Sequence, residues 1–119
     1  MKYLCLIYNE DEALNRLPQN ELHGLMGEFF AFTRDIMKSG HYLGGNDLEP
    51  AKAATTVRVR HGKLSTTDGP FEETKEQLGG YYLVEARDFN EAIQVAARIP
   101  TARIGCIEVR PVREHPEIG

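Results

Sequence analysis

The chain is poor in the residues that are typical of metal-binding, disulfide-bonded and nucleic-acid-binding proteins. It contains no tryptophan, two cysteines and no excess of basic residues, and its 119 residues carry a formal net charge of −4. Because acidic and basic residues are interspersed, no basic stripe is available to neutralise phosphates, and we expect no nucleic-acid partner. Cys5 and Cys106 have no Cys or His neighbours at metal-ligand spacing, so we expect no metal and no cofactor. We expect both thiols to pack inside strands; a redox pair is the alternative.

Long apolar runs are also absent. The apolar run at residues 2–8 is too short to cross a membrane, and acidic residues follow it where a signal peptide would have its cleavage region. We therefore expect a cytoplasmic protein without a membrane partner. A chain of this length forms one hydrophobic core, which predicts a single domain over residues 1–119 with a polar tail from about residue 113.

Hydrophobic periodicity in the first third predicts a strand followed by a long helix. The strand covers residues 2–8 and has the composition of one buried on both faces. The helix opens at Pro18 and ends at Gly40, and its apolar stripe faces a sheet. The stripe consists of Leu22, Leu25, Met26, Phe29, Phe32, Thr33 and Ile36. Gly24 and Gly27 each cost about 1 kcal/mol in a helix, so we expect a close approach there to the sheet or to a partner chain.

The remaining chain alternates short strands with one more helix. The predicted strands lie within residues 41–54 and over residues 55–60, 63–67, 80–86 and 104–109. His61 and Gly62 form the turn of a hairpin between the second and third of these strands. Asp88 and Glu91 make a capping box for a helix that Pro100 stops. This order matches a ferredoxin-like α+β unit, an antiparallel sheet with two helices on one face, plus one added hairpin strand.

Residues 67–76, with the sequence TDGPFEETKE, are the most distinctive segment. Asp68 can bond its own backbone, Gly69 tolerates almost any dihedral angle, and Pro70 fixes its own, which predicts a tight turn. This segment and the residues after it, up to Val112, resemble the DGPF branch of the YCII-related family, sometimes labelled PhnB-like. The resemblance implies a homodimer in which two ferredoxin-like units form a dimeric α+β barrel with a cavity between the sheets.

The closing strand indicates what that cavity would contain. Alternation places Glu108 and Arg110 on the side opposite Ile107 and Val109. If the apolar pair meets the helices, the charged pair points into the barrel or its rim. Two interpretations stay open: an ion network with Arg58 or Arg60, or a pocket for a small polar or anionic molecule.

Further site residues follow from the DGPF segment and from the resemblance. Asp68 either shapes the turn or acts as an acceptor or general base, with Phe71 as a wall or lid of the cavity. Glu73 and Lys75 either bind the ligand or form solvated salt bridges. A His/Asp pair is the working unit implied by related proteins, which makes His23 the second catalytic candidate.

Three functions are consistent with these residues. The first is a protein that binds a small polar metabolite in a barrel cavity lined by Tyr82, Arg58, Glu108 and Arg110. The second is a cofactor-free lyase, dehalogenase or isomerase, because the resemblance includes a relative that dechlorinates a hydroxylated aromatic. The third is a regulatory partner of a sigma factor. The sequence leaves open whether the protein is an enzyme.

Overall fold

The computed structural model describes residues 1–116. In this range the strands are β1 (Lys2–Asn9), β2 (Tyr42–Asp47), β3 (Thr55–Arg60), β4 (Lys63–Asp68), β5 (Gln77–Glu85) and β6 (Cys106–Pro111). The α-helices are α1 (Asp11–Asn15), α2 (Gln19–Lys38) and α3 (Phe89–Ala97). Short 3-10 helices cover Ala51–Ala53 and Pro100–Arg103.

Four of the strands form an antiparallel sheet in the order β2-β5-β1-β6. This is the ferredoxin-like order, so the predicted α+β fold is confirmed. The hairpin was expected to add one strand to this sheet, and that detail is wrong. β3 and β4 pair only with each other and form a separate two-stranded sheet, inserted between β2 and β5.

The core lies on one face of the main sheet, under α2 and α3. Every second residue of β1 points to this face, and Tyr3, Cys5 and Ile7 are 1%, 0% and 6% exposed. Residues between them, such as Leu4 and Leu6, are only half-buried. The prediction of a first strand buried on both faces is therefore wrong for the single chain, because nothing in residues 1–116 covers the second face, called the open face below.

The cysteines occupy opposite faces of the sheet. Cys5 lies in the core, whereas Cys106 is exposed and pairs with Tyr8 on the open face. The alternative of a redox pair is wrong, because a disulfide would have to pass through the sheet.

α2 begins and ends close to the predicted positions, but it buries less of its apolar stripe. Pro18 caps its start, and Gly40, with φ of 81°, follows its end. Leu25, Phe32 and Ile36 are the buried residues of the helix. Its N-terminal part, up to Phe30, stands away from the sheet, and the exposed large apolar side chains there are Leu22, Met26 and Phe30. The five-residue helix α1, which is too short to show a helical period, was not predicted.

The second half of the chain follows the prediction with shifted boundaries. Asp88 accepts a hydrogen bond from the Glu91 amide at 2.9 Å, as the capping box requires. The Glu91 carboxylate accepts a hydrogen bond from the Arg87 amide at 3.0 Å. A regular capping box would use the amide of Asp88, one residue later. β6 begins two residues late because a 3-10 helix follows α3, while Ile107 and Val109 pack on the core as predicted.

The glycines in α2 do not allow any close approach within the chain. A Cβ added to Gly24 or to Gly27 would have no heavy atom within 4 Å. The expected close approach to the sheet is therefore wrong. A Cβ on Gly105, by contrast, would collide with the carbonyl oxygen of Tyr8.

We predict that Gly24→Ala and Gly27→Ala each raise the free energy of unfolding by about 1 kcal/mol, because alanine favours the helix and meets no obstacle. Gly105→Ala serves as the contrast and should lower it. Urea denaturation followed by circular dichroism measures all three. An unchanged or lower stability for the α2 variants would mean that a partner chain approaches these glycines.

Candidate functional site

A cavity of about 450 Å³ lies between the first half of α2 and the sheet. Its walls come from α1, α2, the ends of β1, β2 and β5, and the segment after β2. Gly45 of β2 and Gly80 of β5 line the cavity and add no side chains to it, because the backbone around them leaves no room for a Cβ atom. A Cβ atom added to Gly45 would lie 2.8 Å from the backbone carbonyl oxygen of Tyr81, and one added to Gly80 would lie 2.9 Å from that of Asn46.

Two buried polar residues line this cavity. Asn9 and Thr101 are 5% and 2% exposed, and they are the buried polar residues found among residues 1–116. The Thr101 hydroxyl, Oγ1, has no hydrogen-bond partner within the described chain. An unpaired buried hydroxyl costs roughly 1–3 kcal/mol. Because this oxygen is closed to solvent, a ligand or a water molecule in the cavity would supply the missing partner only after the Thr101 side chain turns towards it.

Local backbone features hold these two residues in place. Asn9 ends β1 in phase with the buried residues of that strand. The pairing of β1 with β5 shifts register between Ile7 and Tyr8, so Gly79 has no partner on β1. A Cβ on Gly79 would lie 2.7 Å from the Asn9 Oδ1 atom, so the missing side chain makes room for the Asn9 amide. Thr101 belongs to the 3-10 helix that Pro100 begins.

Tyr82 and Thr33 form the hydrogen-bonded wall of the cavity. The Thr33 hydroxyl donates to the Phe29 carbonyl at 2.8 Å, so the Tyr82 hydroxyl donates to Thr33 Oγ1 at 2.7 Å. The pKa of the Tyr82 phenol is raised, mainly by burial, and the hydrogen bond with Thr33 lowers it in part. The nearby Tyr42 and Asp47 raise that pKa further. Tyr82 is therefore a neutral phenol at physiological pH.

The rim of the cavity is acidic. Asp47 lies opposite Gly80 in the sheet and is exposed, while Asp11 is half-buried and accepts a hydrogen bond from the Ala51 amide at 3.0 Å. Both carboxylates line the cavity, and no Lys, Arg or His of the described chain does. The polar or anionic ligand expected from the sequence would thus meet no basic side chain here.

Of the predicted site residues, Tyr82 alone lines the cavity. It faces α2, whereas Glu108 and Arg110 pair with Leu6 and Leu4 on the open face. The expectation that these three residues share one cavity is wrong, because alternation along β5 places Tyr82 in phase with the buried Val84. His23 is exposed on α2, and the structure does not bring it to the cavity.

The DGPF segment forms the base of the hairpin. Gly69 has φ of 100°, and its amide donates to the Ala54 carbonyl at 2.7 Å. The Arg58 guanidinium lies 5.5 Å from the centre of the Phe71 ring. Asp68 ends β4 opposite Thr55 and is exposed. The roles suggested for Asp68 and Phe71 in binding or catalysis stay predictions.

The remaining charged candidates form surface ion pairs. Lys75 Nζ lies 3.1 Å from the Glu10 carboxylate, and Arg110 pairs with Glu108 on its own strand. The expected network between the closing strand and the hairpin is wrong. Arg58 stacks on Phe71, and the Arg60 guanidinium donates to the Val59 carbonyl at 3.1 Å. Glu73 is exposed, and its role stays a prediction.

Other features of residues 1–116 offer less for chemistry. A second cavity of about 330 Å³ lies at the base of the hairpin, between residues 48–54 and 70–78, and its lining is largely apolar. No group of three or more His, Cys, Asp or Glu side chains in this range is placed to hold a metal ion. No helix in the same range is long and apolar enough to cross a membrane.

Comparisons with known proteins agree with this fold. A family model described as the YCII-related domain matches residues 1–116. An uncharacterised protein, R00369 of Rhizobium meliloti strain 1021, is 34% identical over 114 residues, which cover 94% of this chain and 92% of that protein. A solved structure is also similar: 5-chloro-2-hydroxyhydroquinone dehydrochlorinase from Burkholderia phenoliruptrix AC1100, in complex with 2,5-dihydroxybenzoquinone. The two structures have a TM-score of 0.57 and 12% sequence identity, and the match covers 98% of each chain. At this identity the likeness shows the fold alone.

We predict that Thr101→Val raises the free energy of unfolding of the ligand-free protein by about 1 kcal/mol, because it removes an unpaired buried hydroxyl at constant shape. Thr56→Val is the matched control. The Thr56 hydroxyl donates to the Gly69 carbonyl at 2.9 Å, so its loss should lower stability. Denaturant titration compares the two. A destabilised Thr101→Val variant would show that an ordered water already satisfies the hydroxyl.

Proposed function

The chain belongs to the family of YCII-related domains, and from this premise we propose that it binds a small ring-shaped molecule in the cavity beneath α2. The observation that carries the proposal is the position of Asn9 and Thr101. Polar groups are rarely buried without partners, and here two buried polar residues line one cavity, of which Thr101 has an unpaired hydroxyl. Aromatic side chains from α2 and the sheet complete the walls.

The size and shape of the cavity support a ligand with a single ring. Its volume of about 450 Å³ lies in the range typical of small-molecule sites. Phe29, Tyr42 and Tyr82 present rings on which a flat ligand can pack. The similar dehydrochlorinase holds a quinone ring, which supports a ligand of that size without fixing its chemistry.

A cofactor-free enzyme of lyase, dehalogenase or isomerase type is a second candidate. The specific observation in its favour is an exposed carboxylate, Asp47, near a neutral phenol, Tyr82, on one cavity wall. A carboxylate and a phenol can act as base and acid on one substrate. Mass spectrometry that recovers every bound compound unchanged after incubation with the protein would remove this candidate.

An open cavity also favours ligand binding over a purely regulatory partner of a sigma factor.

The two thiols support the proposal that the protein works in the cytoplasm. Burial raises the pKa of the Cys5 thiol to about 11, and Cys106 carries a free thiol on the open face. Unpaired cysteines are typical of reducing compartments.

We also propose that the protein is a homodimer. Its accessible surface is 8480 Å², whereas a compact monomer of its mass exposes about 6,500 Å². Its radius of gyration is 16.3 Å, against roughly 13.5 Å for a compact chain of this length. The extra surface of about 2,000 Å² on one chain exceeds the roughly 800 Å² that each partner buries in a standard interface. The open face and the apolar side of the hairpin, formed by Val57, Val59 and Leu64, supply apolar surface for a second copy.

Titration calorimetry with 4-(2-hydroxyethyl)phenol, a neutral single-ring compound, tests the binding proposal. We predict binding to the wild type and affinity weakened at least about fivefold in Thr101→Val, which removes roughly 1 kcal/mol of hydrogen bonding. That variant should be the more stable one, so unfolding cannot explain its loss of binding. Arg34→Ala, exposed on the same helix, is the control and should bind normally. Weakened binding in His23→Ala with normal binding in Thr101→Val would place the site elsewhere.

For the dimer, we predict that light scattering on the wild type gives twice the chain mass of 13.4 kDa. Leu64→Asp should shift the equilibrium towards monomer, because it places a charge in an apolar contact. Ser65→Asp adds the same charge on the other face of the hairpin and should leave the mass unchanged. A monomeric wild type at micromolar concentration would refute the dimer, and a dimeric Leu64→Asp variant would exclude the hairpin from the interface.

A further inference from the structure

The charges around the cavity discriminate between ligand classes. Asp11 and Asp47 line it, and the described chain contributes no Lys, Arg or His to the lining. Neither carboxylate belongs to an ion pair within residues 1–116, where the ion pairs involve other acids. The Asp11 carboxylate already accepts the Ala51 amide. Asp47 is therefore the carboxylate at the rim with no partner from the described chain.

The backbone fixes Asp47 at this position. It ends β2 directly opposite Gly80, which also lines the cavity and carries no side chain. The neighbouring Asn46 points to the other face and donates to the Tyr81 hydroxyl at 2.8 Å. The carboxylate thus stands next to the cavity, while the amide beside it is engaged elsewhere.

The rest of the lining is suited to a cation as well. Aromatic rings from Phe29, Phe30 and Tyr42 line the cavity, and the faces of such rings attract ammonium groups. Deeper in the site, the unpaired Thr101 hydroxyl and Asn9 offer hydrogen bonds to a neutral polar group. An anion would meet two carboxylates and no compensating charge, which disfavours it.

We propose that the ligand of this cavity is an organic amine with one ring, whose ammonium group meets the Asp47 carboxylate while a polar substituent of the ring reaches Thr101. The inference rests on the proposed binding function and adds the charge of the ligand. The unpaired hydroxyl of Thr101, at 2% exposure, is what distinguishes this cavity from an acidic surface patch. The ligand class is accordingly a protonated arylalkylamine rather than a carboxylate or phosphate.

Three probes of one shape test the proposal. Tyramine, 4-(2-hydroxyethyl)phenol and 4-hydroxyphenylacetate share a phenol and a two-carbon substituent and differ chiefly in charge. We predict that tyramine binds about fivefold more tightly than the neutral phenol, a modest gain because Asp47 is exposed. The carboxylate should bind most weakly. Salt should weaken the binding of tyramine more than that of the neutral probe, because it screens the charge pair.

Asp47→Asn is the decisive variant. It should bring the affinity for tyramine to that for the neutral phenol, with both measured on the same variant. Glu49→Gln is the matched control: Glu49 lies two residues after Asp47, and its side chain is outside this cavity. Removing its charge should preserve the preference for tyramine. Equal affinity of the wild type for tyramine and the neutral phenol, or tightest binding of the carboxylate, would overturn the charge inference and leave the proposed function standing. Absence of binding by all three probes at millimolar concentration would overturn both.

Discussion

The contact of Phe32 and Thr33 with Tyr82 determines how α2 lies on the sheet. The Phe32 and Tyr82 rings meet edge to face at 5.2 Å, and the Thr33 hydroxyl bonds the Tyr82 phenol. From this point to its C-terminal end the helix stays close to the sheet through Ile36. Towards its N-terminus the sheet presents Gly80 and Gly45, which cannot follow the helix with side chains. A large aromatic residue beside small ones thus produces a wedge-shaped space, and that space is the candidate site.

The sequence predicts the architecture well because period and capping are local signals. Alternation in β1, the apolar period of α2 and the Asp88 cap depend on neighbouring residues, so they can be interpreted without knowing the tertiary structure. The separate pairing of β3 with β4 could not be predicted in this way. Which strands share a sheet depends on edges that the chain reaches only after folding. The position of Gly24 and Gly27 on the uncovered side of α2 depends likewise on which part of the helix meets the sheet.

The site is predicted less well, because the charged residues that stand out in the sequence lie away from the cavity. Asn9 did carry a signal: it is a polar residue in phase with Tyr3, Cys5 and Ile7, and a polar group in a buried phase indicates a polar cavity or a partner. Tyr82 was identified but assigned to the wrong face, although its phase with Val84 indicates the core. Thr101 carried no signal, since it follows a proline in a short 3-10 helix without a period. Its unpaired hydroxyl is visible only in three dimensions.

The segment that identifies the family and the cavity that suggests a function are different parts of the molecule, yet they are connected. The DGPF turn closes the base of the hairpin through the bonds of Gly69 with Ala54 and Thr56. The same segment then reaches back to the start of α1, where Lys75 pairs with Glu10, next to Asp11 at the cavity rim. Because the Lys75 side chain is 87% exposed, its pair with Glu10 adds little stability and cannot fix the rim by itself. The family motif therefore accounts for the geometry of the hairpin, while the proposed binding of a ligand depends on the residues between α2 and the sheet.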